Sequence, residues 1–209
     1  MNLKRLTRAV EYFFSYIFIE LPKGIDFSLR MKSNKSFFAG NHGYALTSKK
    51  ALQNILIGIP LEGKSFLDIG SGKGGCIYYA YQLGCVRSEG VECEKVLHDI
   101  AQKNIKQLKI SSFVISNHVD ALLFKRYSQF DIYFIFNPFD YEIYEKVVDA
   151  IVAQNVQSLN NRVKYLICYG DGSVEYIKSK ACFKFIKEGV CPYRGNLFNV
   201  FQLKTSIDV

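Results

Sequence analysis

Apolar positions along the chain fall into two alternating patterns. Short, nearly continuous apolar runs occur at residues 65–69, 85–92, 110–115, 130–136 and 162–169. Runs of that length bounded by Gly, Pro, Asn or Asp read as buried strands. Between them lie stretches with apolar residues at helical spacing. One ends near Leu83, one covers 94–108 through Val96, Leu97, Ile100, Ala101 and Ile105, and one covers 141–159. A short helix at 174–180 is followed by strand-like runs at 182–187 and 196–203, separated by Gly189, Pro192 and Gly195. The last two read as an antiparallel pair at a sheet edge. Alternating β and α with apolar strands predicts an α/β fold with helices on both faces of the sheet. The sheet is expected to have seven strands, mostly parallel, with an antiparallel final strand.

Upstream of the first strand the pattern is different. Residues 1–21 read as a helix closed by Pro22 and Gly24, and 25–46 as irregular around a short piece at 37–39. Thr47 or Ser48 caps a second helix reaching Ile57. We therefore expect a domain at 45–209 with residues 1–44 as an extension packed on it. The first helix carries Lys4, Arg5 and Arg8 ahead of an apolar run at 12–21 bracketed by Glu11 and Glu20. No small-residue cleavage site follows, which argues against a secretory signal. The run is about half the roughly 20 residues that span a bilayer. It reads as a docking helix, or as an amphipathic helix in contact with a membrane surface through residues 1–21.

Composition adds less. The net charge of +8 permits a nucleic acid, an anionic membrane or another acidic partner, but no block of five like charges marks a basic tail. The six cysteines form no C-x-x-C pair and read as reduced thiols of a cytoplasmic protein. His42, His98 and His118 have no metal-ligand spacing, so no metal is expected.

The candidate chemistry is concentrated in Phe66 to Gly75, FLDIGSGKGG. A buried strand running into glycines and then a helix opens a nucleotide-binding βαβ unit. Gly70, Gly72 and Gly75 satisfy G-x-G-x-x-G of dinucleotide binders. Asp68, Gly70, Gly72 and Gly74 equally satisfy D-x-G-x-G-x-G. Lys73 within the loop reads as solvated. An acid directly before the loop opposes a pyrophosphate and favours a cation. Further acids or amides stand where other strands end: Glu92, Asp120, and Asn137 followed by Pro138 and Phe139.

With the terminal strand pair, this set resembles the class I S-adenosylmethionine-dependent methyltransferases over roughly residues 45–205. The resemblance implies S-adenosyl-L-methionine as cofactor. Asp68 would face its ammonium, Gly70, Ser71, Gly72 and Gly74 would cradle it, Glu92 would accept from the ribose hydroxyls and Asp120 from the adenine amino group. Tyr44 would cover the methionine end. Asn137-Pro138-Phe139 resembles the N/D-P-P-Y/F signature of amino-group methyltransferases with one proline missing. It implies transfer to nitrogen ahead of oxygen, with Asn137 and the Pro138 carbonyl accepting from the amino group and Phe139 stacking on a planar substrate. His42 as a base and Arg194 against an anionic substrate are weaker candidates. The acceptor is left open among protein, nucleic acid and small molecule. Two alternatives stand beside this one: an NAD(P)-binding oxidoreductase, and an S-adenosylmethionine-binding protein without chemistry.

Overall fold

A computed structural model describes residues 10, 12–29, 43–156, 162–170, 172–193 and 195–204. Its strands are β1 (Ser65–Ile69), β2 (Arg87–Glu92), β3 (Val114–His118), β4 (Ile132–Phe136), β5 (Lys164–Tyr169), β6 (Phe183–Val190) and β7 (Leu197–Leu203). Its helices are α1 (Lys49–Ile55), α2 (Gly75–Gln82), α3 (Lys95–Gln107), α4 (Tyr141–Val156) and α5 (Val174–Ser179). The strands form one sheet in the order β3-β2-β1-β4-β5-β7-β6. The first five run parallel, and β7 runs antiparallel to both β5 and β6. This is the predicted seven-stranded, mostly parallel α/β sheet.

The central strands read as continuous apolar runs because both of their faces are covered. Leu67, Tyr133, Ile135 and Leu166 pack against Val147, Val148 and Ile151 of α4 and Ile177 of α5. The alternate residues Phe66, Ile132, Phe134 and Ile167 pack against Ala51, Leu52 and Ile55 of α1 and Cys76 and Ala80 of α2. Each such large apolar side chain, fully buried, contributes about 2 kcal/mol. After β3 the chain returns to the far side of β1 to form β4. That reversal opens a crevice at the carboxyl ends of β1 and β4, where α/β sheets hold their ligands.

One strand differs from expectation. β3 lies at Val114–His118, about four residues later than the β-branched run at 110–115 suggests. Lys109 takes φ 57°, and the Phe113 and Val114 amides both donate to the Ile110 carbonyl, at 2.9 and 3.0 Å. The first part of the run, residues 110–113, is therefore a turn, and only Val114 and Ile115 of it enter the strand. The strand itself is a polar edge in which Ser116, Asn117 and His118 hydrogen-bond to His98, Glu89 and the Cys93 carbonyl.

The N-terminal helix is seen at residues 12–15, continues as a wide turn at Tyr16–Glu20 and a 3-10 turn at Leu21–Lys23, and stops at Gly24 with φ 66°. The predicted stop at Pro22 and Gly24 holds. Glu20 is buried and gathers the segment after it. Its carboxylate accepts from the Phe27 amide at 2.7 Å, the Ser28 amide at 2.9 Å and the hydroxyls of Ser15 and Ser28. Ile25, Phe27 and Leu46 then pack with Tyr12, Tyr44, Tyr78 and Tyr79. This segment is thus tied to α2. Residues 1–9, the piece at 37–39, His42 and Arg194 lie outside the described residues. Among the described residues no helix is long and apolar enough to cross a membrane. All six cysteines are free thiols.

Candidate functional site

The glycine loop leaves β1 at Gly70 and enters α2 at Gly75. Gly70 and Ser71 donate to the Val91 carbonyl at 2.9 and 3.0 Å, which pins the loop to β2. Gly70 and Gly72 have φ 83° and 54°, so both need the left-handed freedom of glycine. Space requires it too. A Cβ on Gly72 would collide with the Tyr44 ring, and one on Gly70 with the Pro138 ring. Ser71 is buried with its hydroxyl unpartnered among the described residues, in room left by the bare Gly90.

Two carboxylates stand in this crevice with no cation partner among the described residues. Asp68 is 4% exposed. Burial, and secondarily the nearby Glu92, hold its pKa well above the usual carboxylate range, while a hydrogen bond from the Cys76 thiol opposes the shift. Glu92 is raised by burial and partly restrained by backbone donors. Its two oxygens accept from the Gly72 amide at 2.7 Å and the Glu94 amide at 2.8 Å. The same acid therefore shapes the glycine loop and starts α3, and each oxygen keeps further acceptor capacity. Asp120 is exposed at the end of β3 and caps the turn Ala121–Leu123, accepting from the Leu122 amide at 2.8 Å through one oxygen.

Beyond β4 the chain reaches across the crevice. Asn137 takes φ 37°, a conformation that Asn tolerates better than most residues. Its side chain lies against Gly170, where an added Cβ would come within 2.5 Å of Asn137 Nδ2. Pro138 lies against Gly70. Residues 137 and 138 thus span from the end of β5 to the glycine loop.

Three sequence expectations need correction or extension. Lys73 is not solvated. It is 1% exposed, and its ammonium contacts Asp26 Oδ2 and the Leu29 carbonyl, each at 2.8 Å, and lies 5.5 Å from the Tyr44 ring centroid. Asn104 completes the tie, bonding the Asp26 amide and carbonyl and the Lys73 carbonyl. Tyr44 lies against the loop at Gly72, with its hydroxyl donating to the Phe27 carbonyl at 2.7 Å. Phe139 is no open stacking platform. It is packed in the core, edge-on to Tyr144 at 6.1 Å. The exposed aromatic is Tyr141, two residues later on the first turn of α4. The sequence reads Lys73 as solvated because its partners Asp26 and Leu29 are distant in the chain, and it gives Tyr141 no role beyond opening a helix.

The latch between Lys73 and Asp26 has a measurable consequence. Asp26→Ala should lower unfolding stability by about 3 kcal/mol, because it leaves a buried ammonium without its carboxylate. Urea titration reads this directly. A change below about 1 kcal/mol would mean that Lys73 reaches water instead.

The donor set suits a ligand bringing positive charge and hydroxyls. Two buried carboxylates disfavour a pyrophosphate, and Lys73 is already committed to Asp26. Among the described residues no group of three or more His, Cys, Asp and Glu converges as a metal site. The family model described as Conserved hypothetical protein 95 matches residues 47–191. The chain belongs to that family. The matched span runs from the residue before α1's cap to just past β6 and includes the glycine loop, Glu92, Asp120 and Asn137.

Solved structures place the fold among the class I S-adenosylmethionine-dependent methyltransferases. An RNA methyltransferase from Salinibacter ruber, in complex with S-adenosyl-L-homocysteine, aligns with a TM-score of 0.60 at 16% identity, over 78% of this chain and 96% of that one. The tRNA methyltransferase TrmK of B. subtilis aligns with a TM-score of 0.60 at 17% identity, over 77% and 68%. A conserved hypothetical protein of Streptococcus pyogenes aligns with a TM-score of 0.58 at 24% identity, over 75% and 95%. No curated protein matches.

Proposed function

We propose that this chain is an S-adenosylmethionine-dependent methyltransferase acting on an amino nitrogen, and that its acceptor is a nucleobase in RNA. The observation that carries the cofactor assignment is the uncompensated pair of buried carboxylates, Asp68 and Glu92, at the glycine loop. S-adenosylmethionine supplies a methyl group already activated on a sulfonium, together with an ammonium and two ribose hydroxyls. Asp68 holds the ammonium, and the free acceptor capacity of Glu92 takes the ribose. Asp120 has a second oxygen left for the adenine amino group. Tyr44 and the strap at residues 25–29 exclude water from the loop. An activated donor leaves the protein mainly alignment to perform. The Asn137 side-chain oxygen and the Pro138 carbonyl orient the acceptor amine by accepting its N–H groups.

Three points support RNA as acceptor: the net charge of +8, the exposed Tyr141 four residues after Asn137, and the RNA substrates of two structural relatives. An exposed ring at a reacting centre offers a base a stacking surface. The assay is tritiated-methyl transfer from S-adenosylmethionine into unmodified rRNA and tRNA transcripts, with the product nucleoside identified by mass spectrometry. An N-methylated exocyclic amine is expected. Calorimetric binding of NAD without binding of millimolar S-adenosylmethionine would overturn the cofactor assignment. Transfer to protein but not RNA would overturn the acceptor.

A further inference from the structure

The N-terminal helix turns its polar side inward and its apolar side out. Tyr12 donates to the Leu46 carbonyl, Glu20 is buried in its hydrogen-bond cluster, and Asp26 is paired with Lys73. The outward face consists of Val10, Phe13, Phe14, Phe18, Ile19 and Leu21, which are 45–69% exposed. Phe14 stacks on Phe18 with ring centroids 5.7 Å apart. An ordinary soluble surface scatters such residues singly, and a contiguous patch marks an interaction site.

The charge around the patch indicates its occupant. Gly24 sits against Gln107, so the helix end abuts the last turn of α3. Lys23, Lys103, Lys106 and Lys109 are all exposed there, and none has an ion-pair partner among the described residues. Sequence alone places Lys4, Arg5 and Arg8 just ahead of the helix. Of the neighbouring acids, Glu20 is buried and Asp26 is paired with Lys73, while Glu11 lies outside the described residues. Apolar side chains that enter an acyl boundary, rimmed by lysines at headgroup level, make an in-plane membrane-binding helix. A single-stranded nucleic acid would use the aromatic rings but gain nothing from Val10, Ile19 and Leu21, which have no π-face.

We infer that residues 10–23, with the lysines at the end of α3, dock this protein on an anionic lipid surface. The helix lies outside the 47–191 span shared with the family. The inference also stands apart from the methyl-transfer reading, since nothing in it uses the cofactor crevice. Docking would leave the strap at residues 25–29, and through it Lys73, in place.

Co-sedimentation of the full chain with vesicles tests this. Vesicles of phosphatidylcholine with 30% phosphatidylglycerol, roughly the anionic content that attracts basic segments, should bind at least about tenfold more tightly than pure phosphatidylcholine. The variant Phe14→Ser/Phe18→Ser should lose at least about tenfold while keeping its thermal midpoint, because both rings are exposed. Lys103→Glu/Lys106→Glu should weaken binding to the anionic vesicles and flatten its salt dependence. Three results would overturn the inference: no binding to the anionic vesicles, equal binding to both vesicles, or binding unchanged in the Phe variant. A concentration-dependent dimer or a single-stranded RNA complex that the Phe variant abolishes would also overturn it, by assigning the face to a second copy or to nucleic acid.

Discussion

Asp68→Asn should weaken S-adenosylmethionine binding by about 100-fold while making the folded protein more stable near neutral pH. The two effects share one cause. In the folded chain Asp68 is buried, with Glu92 near it and, among the described residues, the Cys76 thiol as its side-chain donor. Ionising it there is unfavourable, so its folded pKa stands above its unfolded value. Between those two values the native state holds more protons than the unfolded state. Stability therefore falls as pH rises through that window. Asparagine removes the ionisation, so the variant's stability advantage should vanish in acid and grow as pH rises above the ordinary carboxylate range. Binding has the opposite sign. A cationic ammonium needs the ionised acid, and losing one partner of a buried charge pair costs about 3 kcal/mol, or ~100-fold. Wild-type affinity should rise with pH as Asp68 loses its proton, whereas the variant's should change far less. Calorimetry and urea titrations across pH 5–9, the range where stability usually peaks or turns, read both. A variant that binds normally, or that loses stability at every pH, would remove Asp68 from the cofactor site.

The carboxylate pair also shows why a glycine motif alone is ambiguous. Gly70 and Gly72 only state that the backbone turns left-handed and that something packs closely on it. In this fold that something is partly the protein's own Tyr44 and Pro138. Charge, more than backbone shape, decides between a pyrophosphate and a sulfonium ligand. The order β5-β7-β6, with β7 antiparallel, agrees with the charge. A dinucleotide-binding sheet continues in parallel there.

Most of the architecture was legible because buried parallel strands must be apolar on both faces, and F-L-D-I and I-Y-F-I-F leave little choice. β3 was misplaced because it is an edge. Three of its five residues, Ser116, Asn117 and His118, are polar, whereas the preceding turn contributes the apolar Ile110 and Phe113 that drew the expected start of the strand earlier. Lys73 could not be read from its neighbours, since a lysine among glycines is usually solvated. Its burial depends on Asp26, 47 positions upstream. Phe139 illustrates the converse. In the sequence it completes a catalytic-looking tripeptide, but its ring fills the core beside Tyr144 and the exposed aromatic falls at Tyr141. The first helix has few polar residues over 12–21, so its periodicity did not say which face meets α2. The inward-turned Glu20 settles that only once Phe27 and Ser28 are folded back onto it.

The second large effect concerns Asn137. Asn137→Ala should lower the rate of methyl transfer by about 10²–10³-fold, the usual loss for one positioned hydrogen-bonding group at a reacting centre. Affinity for S-adenosylmethionine should stay within about threefold, because Asp68 and Glu92 lie on other strands. The backbone must be separated from the side chain, since Asn137 holds φ 37° and alanine is strained there. Asn137→Gly supplies that control: it removes the carboxamide but accepts the conformation. Both variants should therefore lose rate alike, with the glycine form the more stable. Asn137→Asp keeps an acceptor oxygen and should retain more activity than either. Single-turnover transfer at saturating cofactor isolates the step. If the glycine variant transferred at the wild-type rate, Asn137 would be only the turn that ends β4. If rate and cofactor affinity fell together, its effect would run through Pro138 and the glycine loop rather than through the acceptor.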